Sequence, residues 1–203
     1  VSRETLGRLE AYGSLLKKWQ AKINLIGPAT LPNLWGRHFL DSAQIAPLIK
    51  ERFADSLETT PLVHVDLGSG AGFPGLVLAI LGTEQGLNLD VHLIESDQRK
   101  CAFLREAARI TDTQVTLHEA RIDAVTPFPA DIVTARALAP LDKLLGYAAR
   151  FWSPETEAIF LKGQDVDKEL MQATKSWSMV TSKLTSRTES TGTVLCVKEV
   201  RRV

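Results

Sequence analysis

Two hydrophobic rhythms divide the chain. In the first sixty residues, Leu6, Leu9, Leu15, Leu16, Trp19 and Ile23 recur near helical spacing with Arg, Lys and Glu between them, which predicts an amphipathic helix. Ser2 stands where an N-cap belongs. Residues 24–32 break the pattern, with Gly27-Pro28 as punctuation. A second helical piece is expected over residues 31–49. Residues 55–61, polar and ending in Pro61, read as a linker. Beyond Pro61 short β-rich runs alternate with helical stretches. Strands are expected at 62–67, 90–95, 114–117, 131–134 and 158–162, and helices at 74–81, 97–110, 141–151 and 166–174. Asp97 can cap the second of these helices. Two late strands, near 178–184 and 193–200, have no helix between them. Such alternation predicts a mostly parallel sheet covered on both faces, with an antiparallel ending.

Composition narrows the class. The 203 residues are 44% hydrophobic and 24% charged, which suits one globular domain with a buried core and excludes disorder. The longest apolar run, around residues 76–81, is far too short to span a membrane. Val1-Ser2-Arg3-Glu4 puts charge where a signal peptide needs apolar residues. Cys101 and Cys196 form neither a disulfide framework nor a metal cluster, so a reducing cytoplasm and no metal are expected. Lys and Arg number 24 against 24 Asp and Glu, which argues against an indiscriminate nucleic-acid binder. The balance is uneven: 8 basic against 6 acidic over residues 1–60, 5 against 9 over 61–130, and 11 against 9 over 131–203. Ordinary scatter and a basic rim around a less basic body both fit these counts.

The sharpest local signal is Val65-Asp66-Leu67-Gly68-Ser69-Gly70-Ala71-Gly72-Phe73-Pro74-Gly75. A buried strand runs into a glycine-rich turn, and Pro74 sits where a helix starts. Glycines there let a ligand approach the backbone closely. The next strand ends in Glu95, at the distance where a carboxylate grips ribose hydroxyls. A dinucleotide fingerprint would need a sixth-position glycine; counted from Gly68 that position is Phe73. Gly68-x-Gly70-x-Gly72 with Asp66 before it instead resembles the motif of class I methyltransferases that use S-adenosylmethionine. Asp66, Gly68, Gly70, Gly72, Phe73 and Glu95 are the candidate cofactor residues on this ground. A non-catalytic nucleotide-binding module and a dehydrogenase remain as alternatives.

The resemblance extends along the chain. Asn24-Leu25, Arg37-His38-Phe39-Leu40-Asp41-Ser42, the loop from Gly68 to Gly75, Arg136-Ala137 and Leu161-Lys162-Gly163-Gln164 follow in that order. Together they resemble the glucose-inhibited division protein B family, bacterial methyltransferases of nitrogen 7 of one guanine in 16S ribosomal RNA. The resemblance implies an α/β fold: a class I (Rossmann-like) S-adenosylmethionine-dependent methyltransferase sheet (residues 61–203) with an N-terminal helical extension (1–60). It matches Gly68, Phe73, Glu95, the Ile122-Asp123 pair and Arg136 to cofactor positions. Ile26-Gly27 departs from the family, which commonly has a Thr there. The implied partner is 16S rRNA or the small ribosomal subunit, and a cytoplasmic monomer is expected. Another methyl acceptor is the alternative.

Nitrogen 7 of guanine has a lone pair and no proton, so its methylation needs positioning and desolvation rather than a general base. Arg136, at the end of a sheet strand, is the candidate catalytic residue, in an orienting role. Arg37, His38 and Lys162 are basic and fall in the extension or at a strand end; they are the candidate RNA contacts. For Lys162 a structural salt bridge is the alternative, and for His38 a packing role shared with Asp41. Thr134-Ala135-Arg136-Ala137 lacks the Pro-Pro-aromatic signature of amino-group methyltransferases. Cys101 and Cys196 read as core residues, His64, His92 and His118 as structural, and Trp19, Trp35, Trp152 and Trp177 as packing residues.

Overall fold

The computed structural model of the protein describes residues 1–57 and 60–203. Helix α1, Arg3–Gln20, starts where Ser2 accepts from the backbone N–H of Thr5. It buries Thr5, Leu9, Tyr12, Gly13, Leu15 and Leu16, a stripe at three- and four-residue intervals. The piece expected over 31–49 is not one helix. A 3₁₀ turn, Pro28–Asn33, gives way to a π-helical turn, Trp35–Leu40, then to α2, Asp41–Ala43, and α3, Ala46–Arg52. Pro32 has no N–H to donate and interrupts the regular ladder. The wide π turn is a feature often found at functional sites. The expected linker is helical at its start, as α4, Ala54–Leu57; Glu58 and Thr59 lie outside the described residues.

The sheet strands are β1, Leu62–Leu67; β2, Leu89–Glu95; β3, Thr116–Glu119; β4, Ile132–Arg136; β5, Glu157–Lys162; β6, Trp177–Thr185; and β7, Thr193–Arg202. Helices α5, Gly75–Gln85, α6, Gln98–Ile110, α7, Leu141–Ala148, and α8, Val166–Ala173, connect them. Among the described residues the sheet order is β3-β2-β1-β4-β5-β7-β6. β1 to β5 pair in parallel, and β7 runs antiparallel between β5 and β6. Asp97 caps α6 by accepting from the N–H groups of Arg99 and Lys100, as the sequence predicts. β3 starts two residues later than expected and β4 runs two further, to Arg136.

Alternation along the central strands fills two layers. On β5, Ala158 and Phe160 join one cluster with Leu141, Leu145 and Phe151, while Ile159 and Leu161 join another with Ile45, Ile49 and Leu78. The extension packs into the core of the sheet. Tyr12 and Leu16 are fully buried in one cluster with Phe73, Leu76, Ile80, Leu93 and Phe103. Arg52 of α3 pairs with Glu157 at the start of β5, whose side chain is buried and also meets Lys198 at 3.1 Å. Residues 1–57 and the sheet therefore share a core. Cys101 and Cys196 are buried as expected, but Trp35 is 43% exposed.

Candidate functional site

The carboxyl ends of β1, β2, β4 and β5 open into a crevice, the place where ligands bind in open parallel sheets. Its floor is the turn after β1. Gly68, Gly70 and Gly72 all have positive φ, 63°, 57° and 87°, a conformation glycine adopts without steric cost. The turn satisfies itself. The N–H of Ser69 donates to the carbonyl of Ile94 at 3.0 Å, that of Gly70 to Glu95 Oε2 at 2.9 Å, and that of Gly72 to the carbonyl of Ser69 at 2.7 Å. Three loop donors are thus already engaged, so this turn is no pyrophosphate cradle of the kind a dinucleotide needs.

Two of the loop residues expected to hold a cofactor face the other way. Asp66 is fully buried beneath the turn. Its Oδ1 accepts from Thr134 Oγ1 at 2.8 Å and its Oδ2 from the N–H of Gly75 at 3.2 Å. Burial pushes its carboxyl up to about 6, against the bonds from Thr134, Ser69 and Gly75 and the charge of Arg136. Gly72 faces the core. A Cβ there would stand 2.6 Å from Tyr12 Oη and 2.9 Å from Leu76 Cβ. The Tyr12 hydroxyl donates to the carbonyl of Ala71, and its ring stacks on Phe73 at 5.5 Å. Helix α1 thereby props the glycine turn from below, a role no local sequence pattern announced.

The crevice has two compartments, of about 640 and 310 Å³. Gly68, Gly70, Lys100, Ala137 and Leu138 border both. The smaller is lined by Glu95, Ile122, Asp123 and Tyr147. Glu95 is nearly buried and works as a bracket: Oε2 holds Gly70, and Oε1 accepts from the N–H groups of Ser96 and Asp97 at 2.7 and 2.8 Å. Asp123 is exposed and pairs with Arg121 at 3.2 Å, which holds its carboxyl below the usual range. Between the compartments Ala137 adopts φ 52° without being glycine, a backbone strain of about 1 kcal/mol or more. It follows Arg136 directly, and Leu138 lies so close over Gly68 that a Cβ there would meet its Cδ1 at 2.5 Å.

The larger compartment gathers Phe73, Arg37, His38, Arg136 and Lys162, but most of their polar atoms are spoken for. Nη1 of Arg136 donates to the carbonyl of Arg37 at 3.0 Å and lies 3.4 Å from Asp41 Oδ2; Nη2 donates to His38 Nδ1 at 2.7 Å. The guanidinium stands 4.9 Å from the Phe73 ring centre, within cation–π range. Burial pulls its pKa down while Asp41 pulls it up. His38 is buried, and its Nε2 lies 2.7 Å from Thr30 Oγ1. Burial, then Arg136 and Arg37, lower its pKa to about 3. It braces Arg136 and also lines the larger compartment. Lys162 lines the same compartment. Its ammonium lies 2.5 Å from Glu169 and donates to the carbonyl of Ala139 at 3.1 Å, the ion pair named as the alternative to RNA contact. Arg37 remains at the mouth, paired with Glu189 at 2.7 Å.

Asp41 and Glu189 were not among the expected site residues. Asp41 Oδ1 accepts from Thr188 Oγ1 at 2.7 Å and Gln44 Nε2 at 2.8 Å. The turn between β6 and β7 is thus fastened to the extension and walls the crevice. The three-residue spacing of His38 and Asp41 hinted at a shared face; nothing in sequence linked either to residues 188 and 189. Among the described residues no group of three or more His, Cys, Asp or Glu could hold a metal, and no helix is long and apolar enough to cross a membrane.

The sheet and crevice define a class I S-adenosylmethionine-dependent methyltransferase fold. A solved structure described as a methyltransferase of that class, from Listeria monocytogenes, superposes with a TM-score of 0.66 at 14% identity, covering 95% of this chain and 67% of that one. A TehB-like S-adenosylmethionine-dependent methyltransferase from Corynebacterium glutamicum gives 0.54 at 14% identity, covering 94% and 97%. Sequence narrows the class further. The family model for rRNA small subunit methyltransferase G matches residues 5–195. Relatives named ribosomal RNA small subunit methyltransferase G are 55% identical in Paramagnetospirillum magneticum and 52% in Rhodospirillum rubrum, over all of this chain and 92% and 94% of theirs. The chain belongs to the rRNA small subunit methyltransferase G family.

Proposed function

We propose that this protein transfers a methyl group from S-adenosylmethionine to nitrogen 7 of one guanine in 16S rRNA, as a cytoplasmic monomer acting on the small ribosomal subunit or its RNA. The observation that carries the reading is the self-satisfied glycine turn bracketed by Glu95 inside a chain of this family. The turn has no spare donors at Ser69, Gly70 and Gly72 for a pyrophosphate, yet leaves open space above Gly70, where a Cβ would find nothing nearer than 3.8 Å. A nucleoside with an amino-acid tail and no phosphate suits such a floor. In this reading Glu95, Ile122 and Asp123 hold the nucleoside in the smaller compartment. Gly68, Gly70, Phe73 and Arg136 line the path of the amino-acid end, and Asp66 and Gly72 support the turn from beneath.

When bound, the sulfonium supplies an electrophilic methyl group. The chain's own part is geometric. An unprotonated ring nitrogen needs no base, so the side chains have to align the acceptor and exclude water. Arg136 is suited to orientation, since Asp41 and His38 fix its fork and Phe73 backs its plane. It is ill suited to stabilise the product, because the base gains positive charge. Arg37, at the mouth, is suited to an RNA phosphate once released from Glu189.

Incubation of the protein with labelled methyl donor and small-subunit RNA from cells lacking the enzyme, followed by mapping of the modified base, tests the assignment. Label at nitrogen 7 of one guanine is expected. Label confined to protein or to small molecules would refute the RNA reading, and no calorimetric binding of S-adenosylmethionine would refute the cofactor.

A further inference from the structure

The charges that line the two compartments are almost completely matched. Arg37 pairs with Glu189, Arg136 with Asp41, Lys162 with Glu169, and Arg121 with Asp123. Two charged groups remain, Glu95 and Lys100. Glu95 is wrapped by three backbone N–H groups. Lys100 differs: among the described residues lining the crevice, it is the one cation whose side chain has neither an ion pair nor a hydrogen bond. Its backbone N–H is held by Asp97, and the Asp97 carboxylate turns to Arg99. The side chain is half-buried in the first turn of α6 and borders both compartments, beside Gly68, Gly70 and Leu138.

A half-buried lysine beside a cavity, with no ion-pair partner among the described residues, is best matched by an anion on the ligand. We propose that Lys100 is a phosphate-binding residue for the RNA substrate, holding a backbone phosphate next to the base that enters the larger compartment. The proposal rests on the reading of the protein as an RNA methyltransferase. The methionine carboxylate is the other anion the crevice would receive; in the reading proposed above, Arg136, Gly68, Gly70 and Phe73 line its path. The acceptor strand brings phosphates with no counter-charge reserved for them: the remaining cations of the larger compartment, Arg37 and Lys162, each already face a carboxylate. Lys100 therefore gives the substrate strand a contact that requires no internal ion pair to be broken.

The test compares the unaltered chain with Lys100→Ala and Lys100→Arg in two assays. Binding of small-subunit RNA is measured over a series of salt concentrations, and binding of S-adenosylmethionine by calorimetry. Loss of one phosphate contact lowers the slope of log affinity against log salt by about 0.7 for single-stranded RNA. Lys100→Ala is expected to show that drop, with RNA affinity reduced about tenfold, the effect of a lost charged hydrogen bond. Cofactor affinity should stay within twofold, and Lys100→Arg should restore the slope. An unchanged slope together with a tenfold loss of cofactor affinity would assign Lys100 to the methionine carboxylate and overturn the proposal. No RNA binding by the unaltered chain would instead overturn the RNA reading, and the phosphate contact with it.

Discussion

Arg136 Nη2 and His38 Nδ1 lie 2.7 Å apart, and that bond sets the protonation of the ring. A guanidinium has donors and no acceptor, so Nδ1 is the bare nitrogen. The proton then sits on Nε2 and is donated to Thr30 Oγ1, which passes its own to the carbonyl of Gly27 at 2.7 Å. The ring is neutral, and it aims Arg136 into the crevice.

The acid limb of stability should reflect this. The His38 pKa is lowered to about 3 in the fold, from an ordinary 6.5. As pH falls below 6.5 the unfolded chain takes up a proton that the folded ring refuses, so stability declines from there toward pH 3. His38→Asn keeps an acceptor for Arg136 but cannot titrate. Urea unfolding between pH 4 and 7 should show a flatter decline in the variant, by up to one proton. Identical slopes would mean the ring is not held neutral.

Asp66 should act with the opposite sign. Its carboxyl is raised to about 6 from 3.8. The fold holds a proton that the unfolded chain has lost, so stability rises as pH falls from about 6 toward 3.8 and is lost as pH rises through 6. Asp66→Asn removes this contribution. It also sets an amide N–H against either Thr134 or Gly75, at a cost of about 1–3 kcal/mol. Thermal unfolding at pH 5 and pH 8 should show the variant's deficit larger at pH 5.

Gly70→Ala and Gly72→Ala should part company. A Cβ at Gly70 meets nothing nearer than 3.8 Å, so the cost is about 1–2 kcal/mol of left-handed backbone strain, with loss of cofactor binding as the main effect. At Gly72 the same atom collides with Tyr12, Leu76 and Leu104, so the protein itself should be unsettled. Tyr12→Phe in the same chain should recover part of that loss, measured as melting temperature. Equal melting temperatures for the two single variants would contradict the assignment.

Lys162→Ala should be a stability variant. The ammonium ties β5 to Glu169 and to the carbonyl of Ala139, and Glu169 also accepts from the N–H of Leu141 at 2.7 Å. Losing those charged bonds should cost about 1.5–3 kcal/mol. The salt slope of RNA binding should be unchanged, in contrast to Lys100→Ala.

The alternating strands, the Asp97 cap and the glycine turn could be read locally because each is set by residues a few places apart. The broken helix at 28–43 could not, since its π turn is shaped by what it packs against: Phe39 lies 5.2 Å from Tyr12 and 5.4 Å from Phe73. The site divides the same way. Gly68, Gly70, Glu95, Ile122, Asp123 and Arg136 do border the crevice. Asp66 and Gly72 carry the same glycine-loop signature but serve the turn from below, a distinction of direction that spacing cannot convey. His38 and Lys162 are legible as basic residues of the extension and a strand end, but their internal partners, Arg136 and Glu169, are not, because they stand at distant positions in the chain.

The bonds that Ser186, Arg187 and Thr188 send to Asp41 and Gln44 also bear on when the protein becomes competent. Thr188 reaches back 147 positions to Asp41, and Asp41 in turn steadies Arg136. A chain emerging from the ribosome carries Asp41 early and must add 147 further residues before Thr188 arrives. Until then the crevice lacks a wall, and Asp41 lacks one of the bonds that hold it beside Arg136. A catalyst of ribosomal RNA built this way completes its pocket late in its own synthesis.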